Sequence, residues 1–352
     1  MSLIYDSKSE RYPSMREIVI TRYGAPEVME ERERPTPEPG PGEVRIRVRA
    51  AGVNFADILA RMGLYPDAPP PPLVAGYEVS GYVDAVGPGP MRHEIGRHVL
   101  AVTRFGGYAD HAIVPSDFVW PAPANLSHNE AAAIPVTYLT ASVALYRMAN
   151  VKAGETVLVH GAGGGVGIAA MQLARLRRAT VIGSASPAKH SALRSMGIDH
   201  VIDYRNGDVE AEIARLTNGR GVDVILDARG GGALTESYRT LAPLGRLVIF
   251  GSQALVVGRE RDEERVQAVL QQRPFFDPMD LMNSNKGVFG LNLAHLWRER
   301  RFAAASMEAL LTDFAGGRLK AVVAKTFPLA RAADAHAFVQ DRANVGKVVL
   351  TV

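Results

Sequence analysis

No cysteine occurs anywhere in the 352 residues. Disulfides, thiolate nucleophiles, iron–sulfur clusters and zinc sites with Cys ligands are therefore excluded. No apolar run approaches the ~20 residues that a membrane-spanning helix needs. The stretch Met1 to Pro13 is polar and lacks the apolar core of a signal peptide. The expectation is a soluble, cytoplasmic chain. Charge of one sign is also in short supply. Lys+Arg is 40 and Asp+Glu is 37, a formal net charge of +3. The basic residues are scattered, and the densest clusters are Arg45, Arg47, Arg49 and Arg298, Arg300, Arg301. The first alternates with Val44, Ile46 and Val48, so it reads as the solvent face of a strand. No nucleic-acid or membrane partner is expected. Hydrophobic residues make up 47% and charged residues 22%, which excludes wholesale disorder. The length exceeds what one core usually serves, so two domains are expected.

The N-terminal third is rich in strands and turns. Residues 1–14 read as an extension, and strand alternation begins at Glu17–Thr21. Pro35, Pro37, Pro39 and Pro41 form a stiff connector closed by Gly42. Strands are expected at Val44–Ala51, Glu78–Val86, Val99–Thr103 and Tyr108–Val114. Pro69–Pro72 is extended, and Gly87-Pro88-Gly89-Pro90 is a turn. Together they predict a folded-over antiparallel barrel. After Asn129 the pattern changes to alternating helix and strand. A helix is expected over Glu130–Ala149, then strands at Thr156–His160, Thr180–Gly183, His200–Asp203, Val222–Asp227 and Arg246–Phe250, with helices between them. Such alternation predicts an α/β domain with a doubly wound parallel sheet. From about Lys286 the tail mixes a helix (Ala303–Ala315) with strands at Val322–Phe327 and Lys347–Val352, and is expected to return to the first domain. The division expected is 1–138 plus 286–352 for the barrel domain and 139–285 for the nucleotide domain.

The strongest local signal is the apolar strand Val157–His160 running into Gly161-Ala162-Gly163-Gly164-Gly165-Val166-Gly167. Glycines let the backbone approach a pyrophosphate and leave helix N–H groups pointing at it. The best register is Ala162-x-Gly164-x-x-Gly167, and the flanking strand and helix supply the context that this motif requires. About 20 residues on, an NAD enzyme places an acid on the ribose 2′-hydroxyl. The segment Ile182–Lys189 holds no acid. Ser184, Ser186 and Lys189 suit a 2′-phosphate, and Tyr204 follows the third strand. The cofactor expected is NADPH.

These features together resemble the medium-chain dehydrogenase/reductase superfamily, over about Met15 to Val352. The zinc-free quinone oxidoreductase branch fits best, close to the vesicle amine transport protein homologue subgroup. The residues that carry the resemblance are Ala51–Asp57 (AGVNFAD), Arg61–Tyr65 (RMGLY), Gly161–Gly167, Ser184–Lys189, Ile202-Asp203-Tyr204 and Asn344–Leu350 (NVGKVVL). The resemblance implies a GroES-like catalytic barrel joined to a Rossmann domain. Zinc alcohol dehydrogenases carry a Cys in the segment matching Gly52–Asp57 and a His in a Gly-His-Glu motif. Here Val53 and Asn54 stand in the first place and Gly76-Tyr77-Glu78 in the second, so the N/S zinc site cannot form. His93, His98, His111 and His128 lack ligand spacing and read as structural or solvated. No metal is expected.

Without a Lewis acid, hydride transfer needs an acceptor that is already activated, such as a quinone or a C=C conjugated to a carbonyl. The resemblance implies Tyr65 and Asn54 as candidate catalytic residues, with Asp57 and Arg61 holding their loop. It also implies cofactor contacts at Asn54, Thr140, Phe250, Gly251, Ser252, Phe289, Gly290, Leu291, Asn344 and Lys347. These join the contacts in the glycine turn (Gly163, Gly164, Gly165, Val166, Gly167) and beyond it (Ser184, Ser186, Lys189, Tyr204). The leading expectation is an NADPH-dependent quinone or enone reductase acting as a homodimer. Two alternatives stay open. One is an enoyl-thioester reductase of polyketide or fatty-acid type. The other is an NADPH-binding protein whose main role is membrane or RNA association.

Overall fold

The computed structural model describes residues 14–89 and 93–352. The expected extension, as far as residue 13, and the last residue of the 87–90 turn lie outside the described residues. So do the side chains of Arg298, Arg300 and Arg301.

Alternating sequence makes the first sheet. In the N-terminal region β1 (Ser14–Ile20), β2 (Met29–Pro35), β3 (Glu43–Val53), β4 (Leu73–Val74), β5 (Glu78–Val86), β6 (His98–Val102), β7 (His111–Pro115) and β8 (Val119–Pro121) are antiparallel to their partners. On β3, Val44, Ile46 and Val48 are fully buried, while Arg45, Arg47 and Arg49 turn outward. Arg45 meets Asp84 of β5 at 3.1 Å. β2 was not expected from its sequence, because MEERERP shows no apolar alternation. It pairs with β1 over seven residues as an exposed edge strand. A short helix, α1 (Phe55–Arg61), follows β3 directly.

The single helix expected over Glu130–Ala149 is three pieces: α2 (His128–Ala131), α3 (Pro135–Ser142) and a π-helical turn at Val143–Met148. Pro135 has no N–H to continue a helix but suits its first turn, so it ends one helix and starts the next. The parallel sheet then follows: β9 (Thr156–His160), β10 (Thr180–Ala185), β11 (His200–Asp203), β12 (Val222–Asp227), β13 (Leu241–Ile249) and β14 (Gly287–Gly290). Its spatial order is β11-β10-β9-β12-β13-β14, with every pairing parallel. The order reverses between β9 and β12, and ligands of such sheets bind at the carboxyl end of that switch point. β12 is buried along its whole length and β9 along all but its first residue, as expected of strands covered on both faces. Helices α4 (Gly165–Leu176) and α5 (Pro187–Ser195) are the first two crossovers. β14 joins this parallel sheet although it follows residue 286, where the barrel domain was expected to resume.

The tail returns as β15 (Val323–Pro328) and β16 (Lys347–Thr351). β16 pairs antiparallel with β3 and extends the barrel sheet to β15-β16-β3-β5-β6-β8, with β7 also on β3. One buried apolar cluster runs from Val48 and Leu100 through Leu139 of α3 and Met171 of α4 to Leu350 of β16, so barrel and nucleotide domain share a core.

Candidate functional site

The turn after β9 is shaped by its glycines. Gly161 has φ 67°, a left-handed conformation that costs glycine nothing. A Cβ on Gly167 would lie 2.5 Å from the Gly161 carbonyl oxygen, and one on Gly165 would lie 2.8 Å from Thr137 Cγ2. A Cβ on Gly163 would lie 2.6 Å from Lys189 Cδ. Gly164, the N-cap of α4, differs: a Cβ there meets only the Gly161 oxygen, at 3.4 Å. One side of the turn is therefore clear. The N–H groups of Gly165, Val166 and Gly167 in the first turn of α4 have no intrahelical acceptor.

The returning segment closes over this turn. The Gly346 N–H donates to the Gly163 carbonyl at 2.9 Å, and Gly164 and Gly346 form a parallel bridge. Lys189 Nζ donates to the Asn344 carbonyl at 2.6 Å. Lys347 is buried, pairs with Glu78 and donates to Asn54 Oδ1. Asn54, Gly163–Gly167, Lys189, Asn344 and Lys347 are thus one connected region.

At the carboxyl ends of β10 and β11 positive charge gathers. Burial lowers the Lys189 pKa; Tyr204 opposes this, and Arg342 and Arg205 add to it. Burial would raise the Tyr204 hydroxyl, but hydrogen bonds from Arg205 and Arg342 outweigh it and hold the hydroxyl below its usual value. Ser186 is the N-cap of α5, and its hydroxyl makes no capping bond. Ser184 is placed differently from Ser186. It is 2% exposed and lies beside His160 on the neighbouring strand, with Oγ 2.9 Å from His160 Nδ1. Arg229 Nη2 donates to His160 Nε2 at 3.2 Å, so Nδ1 carries the proton and donates to Ser184. Burial pushes His160 down to about 4, keeping it neutral. Arg205 and Arg342 gave no sequence signal, since isolated arginines in an Arg-rich chain read as solvated.

On the barrel side, Asp57 and Arg61 tie down the Asn54–Tyr65 loop. Asp57 accepts the Asn54 and Gly76 N–H groups, each at 2.8 Å. Burial pushes its carboxyl up to about 7, against those two bonds, Lys347 and Tyr108. Arg61 is fully buried; it donates to Gly24 O at 3.0 Å, Gln340 Oε1 at 2.8 Å and His336 Nδ1 at 3.0 Å. The Asn54 amide is engaged at both ends: Oδ1 by Lys347, and Nδ2 by Glu78 at 2.9 Å and Gly52 O at 3.4 Å. Tyr65 donates a long 3.4 Å bond to Asn292 Oδ1, just past β14. Burial, then Asp67 and Asp57, push its hydroxyl up to about 12. Its ring stands edge-on to Tyr77, with centroids 5.9 Å apart, and Tyr77 packs on Phe105 at 5.0 Å. The Tyr77 hydroxyl is buried and has no hydrogen-bond partner among the described residues.

The other expected contacts fall around the sheet's carboxyl edge. Thr140 is buried in α3, one turn after Thr137, which abuts Gly165. Phe250, Gly251 and Ser252 follow β13, where the Phe250 N–H reaches Asp227 O at 3.0 Å. Leu291 is buried, its N–H bonded to Ile249 O at 2.8 Å, whereas Phe289 is 38% exposed and Gly290 is also exposed. The histidines bond elsewhere. His98 and His128 share Ser80 Oγ at 3.0 and 3.1 Å, and His111 sits 2.9 Å from Asp110. His93 Nε2 lies 3.0 Å from Ser116 O. Among the described residues no helix is long and apolar enough to cross a membrane.

Comparison with known proteins matches these two halves. Residues 40–124 match the alcohol dehydrogenase GroES-like domain, and residues 196–350 match the zinc-binding dehydrogenase family. The synaptic vesicle membrane protein VAT-1 homolog of Rattus norvegicus is 36% identical over 341 residues, covering 96% of this chain and 84% of its own. The Danio rerio homolog is 35% identical, covering 85% of this chain; the match spans 62% of that longer relative. Among solved structures, a mycobacterial protein complexed with NADPH superposes at TM-score 0.85 with 30% identity, over 96% of this chain and all of that one (100%). CurK enoyl reductase superposes at 0.83 with 30% identity, over 96% and 99%. A mycobacterial quinone oxidoreductase superposes at 0.80 with 31% identity, over 96% and 100%. The chain thus belongs to the medium-chain dehydrogenase/reductase superfamily, in its quinone oxidoreductase branch near the VAT-1 homologues.

Proposed function

We propose that the protein is an NADPH-dependent reductase, needing no metal, of quinones or of C=C bonds conjugated to a carbonyl. The observation that carries this reading is the unbroken line from the cationic end of β10 and β11, across the glycine turn, to the barrel loop. Lys189, Gly163, Gly346, Lys347 and Asn54 are its links.

The residues fit a phosphorylated dinucleotide. The clear side at Gly164 and the free N–H groups of α4 suit a pyrophosphate. Lys189, Arg205 and Arg342 around Tyr204, with Ser186 at the N-cap of the helix that carries Lys189, suit a 2′-phosphate. Asn54 Oδ1 keeps a second lone pair for a ribose hydroxyl. Thr140, Phe250–Ser252 and Phe289–Leu291 are assigned the nicotinamide side. The bound dihydronicotinamide supplies hydride to the electron-poor carbon of the acceptor. The protein's part is to hold and orient the acceptor's oxygen.

Zinc does not fit the donor set. Asn54 and Tyr77 stand where Cys and His would ligate. Burial raises the Tyr77 hydroxyl far above its ordinary value, so it stays protonated and is no anionic ligand. Asn54, Glu78 and Lys347 already satisfy one another.

A second reading, an enoyl-thioester reductase, is favoured by the likeness to CurK enoyl reductase. NADPH oxidation with 1,2-naphthoquinone, 2-cyclohexen-1-one and crotonyl thioester separates the readings. Turnover of the thioester alone moves the assignment to the second. NADPH binding with turnover of none sinks both and leaves the role in membrane or RNA association.

A further inference from the structure

We infer that the Tyr77 hydroxyl is the donor that holds the substrate's carbonyl oxygen. The inference rests on the reductase reading above.

A buried hydroxyl left unpaired costs about 1–3 kcal/mol, and nearly all such groups are satisfied. Tyr77 is 5% exposed and its Oη has no partner among the described residues. Thr36, Trp120 and Trp297 also hold unpaired buried atoms, but none of them lies on the Asn54–Tyr65 loop or on the strand entering β5. Tyr77 is held firmly. The Gly76 N–H before it donates to Asp57 at 2.8 Å, and the Gly76 carbonyl accepts from Thr103 Oγ1 at 2.6 Å. Its own carbonyl accepts the Thr103 N–H at 2.9 Å, and the Glu78 after it is pinned by Lys347. Tyr65 and Phe105 clamp the ring. Such a group is preorganised, and preorganised donors are the ones that stabilise developing oxyanions.

The rival donors are engaged. The Asn54 Nδ2 hydrogens go to Glu78 and Gly52, and the Tyr65 hydroxyl goes to Asn292. The chemistry asks for one donor. When hydride adds at the β-carbon, the C=C pair shifts to a new Cα=C bond and the carbonyl pair moves to oxygen. The enolate oxygen accepts the Tyr77 O–H bond, and the α-carbon later takes a proton from water. The sum is enone plus NADPH plus H⁺ giving saturated ketone plus NADP⁺. The Tyr77 phenol stays protonated throughout, so it serves as a hydrogen-bond donor rather than the acid.

The test is Tyr77→Phe, which keeps the ring and deletes only the unpaired hydroxyl. We expect kcat/KM for 2-cyclohexen-1-one and 1,2-naphthoquinone to fall about a hundredfold or more, the scale of losing one oxyanion donor. The calorimetric Kd for NADPH should not change, and the Tm should hold or rise, because the deleted hydroxyl has no partner among the described residues of the free protein. A smaller fall, or a fall matched by weaker NADPH binding or a lower Tm, overturns the inference. A wild type that turns over neither compound removes the reductase reading, and this inference with it.

Discussion

Lys189 is one of seven lysines, and its environment gives it a task. It is half-buried, packs over Gly163 and shares its surroundings with Arg205, Arg342 and Tyr204. If that group holds a 2′-phosphate, Lys189→Ala should raise KM for NADPH about tenfold or more and leave KM for NADH nearly unchanged. Equal effects on both cofactors would contradict the assignment. At this scale the sequence was partly legible. Lys189, Ser186 and Tyr204 follow from the spacing after the glycine turn and from the absence of an acid. Ser184 was expected beside them, but its hydroxyl turns into the sheet toward His160, because register on β10 decides which face a side chain takes. Arg342 comes from a segment more than 150 residues away, and no local pattern announces such a neighbour. In the sequence Tyr77 reads only as the residue in place of a zinc ligand; the fold buries its hydroxyl without a partner among the described residues.

The glycine turn shows what an element demands of each position. Gly167 has backbone within 2.5 Å of where a Cβ would stand, and backbone cannot step aside cheaply. Gly164 has room and an ordinary φ of −80°. Gly167→Ala should therefore lose stability by about 1–3 kcal/mol from overpacking. Gly164→Ala should fold with the wild-type Tm yet bind NADPH about tenfold or more weakly, its methyl group standing on the ligand's side. Melting curves and calorimetry on the two variants check the pair. Unchanged NADPH binding by Gly164→Ala would remove the turn from the site. Strongly periodic elements were legible, and β5, β9, β11 and β12 fall where alternation and apolar runs put them. β2 was hidden because both of its faces are charged, and the long helix was overextended because Pro135 restarts a helix as readily as it ends one.

For the whole molecule, the returning tail is the decisive feature. β16 completes the barrel sheet, and the Asn344–Lys347 turn at its start caps the glycine turn, so one segment joins the glycine turn to the barrel loop at Asn54. β14 is the last strand of the parallel sheet, with Phe275 85%, Met279 58% and Met282 61% exposed near it in sequence. We propose this edge as the homodimer contact. Light scattering should give twice the chain mass of 37.9 kDa, and a monomeric mass would refute it. We propose that a nucleotide carrying a 2′-phosphate, bound along the line from Lys189 to Asn54, reduces an acceptor that is already activated. The most direct measurement is wild-type kcat/KM for 1,2-naphthoquinone and 2-cyclohexen-1-one with NADPH and with NADH, in metal-chelated buffer. Turnover of at least one acceptor is expected, undiminished by the chelator, with NADPH preferred about tenfold or more. Equal use of NADH, activity lost on chelation, or no turnover of either acceptor would contradict it.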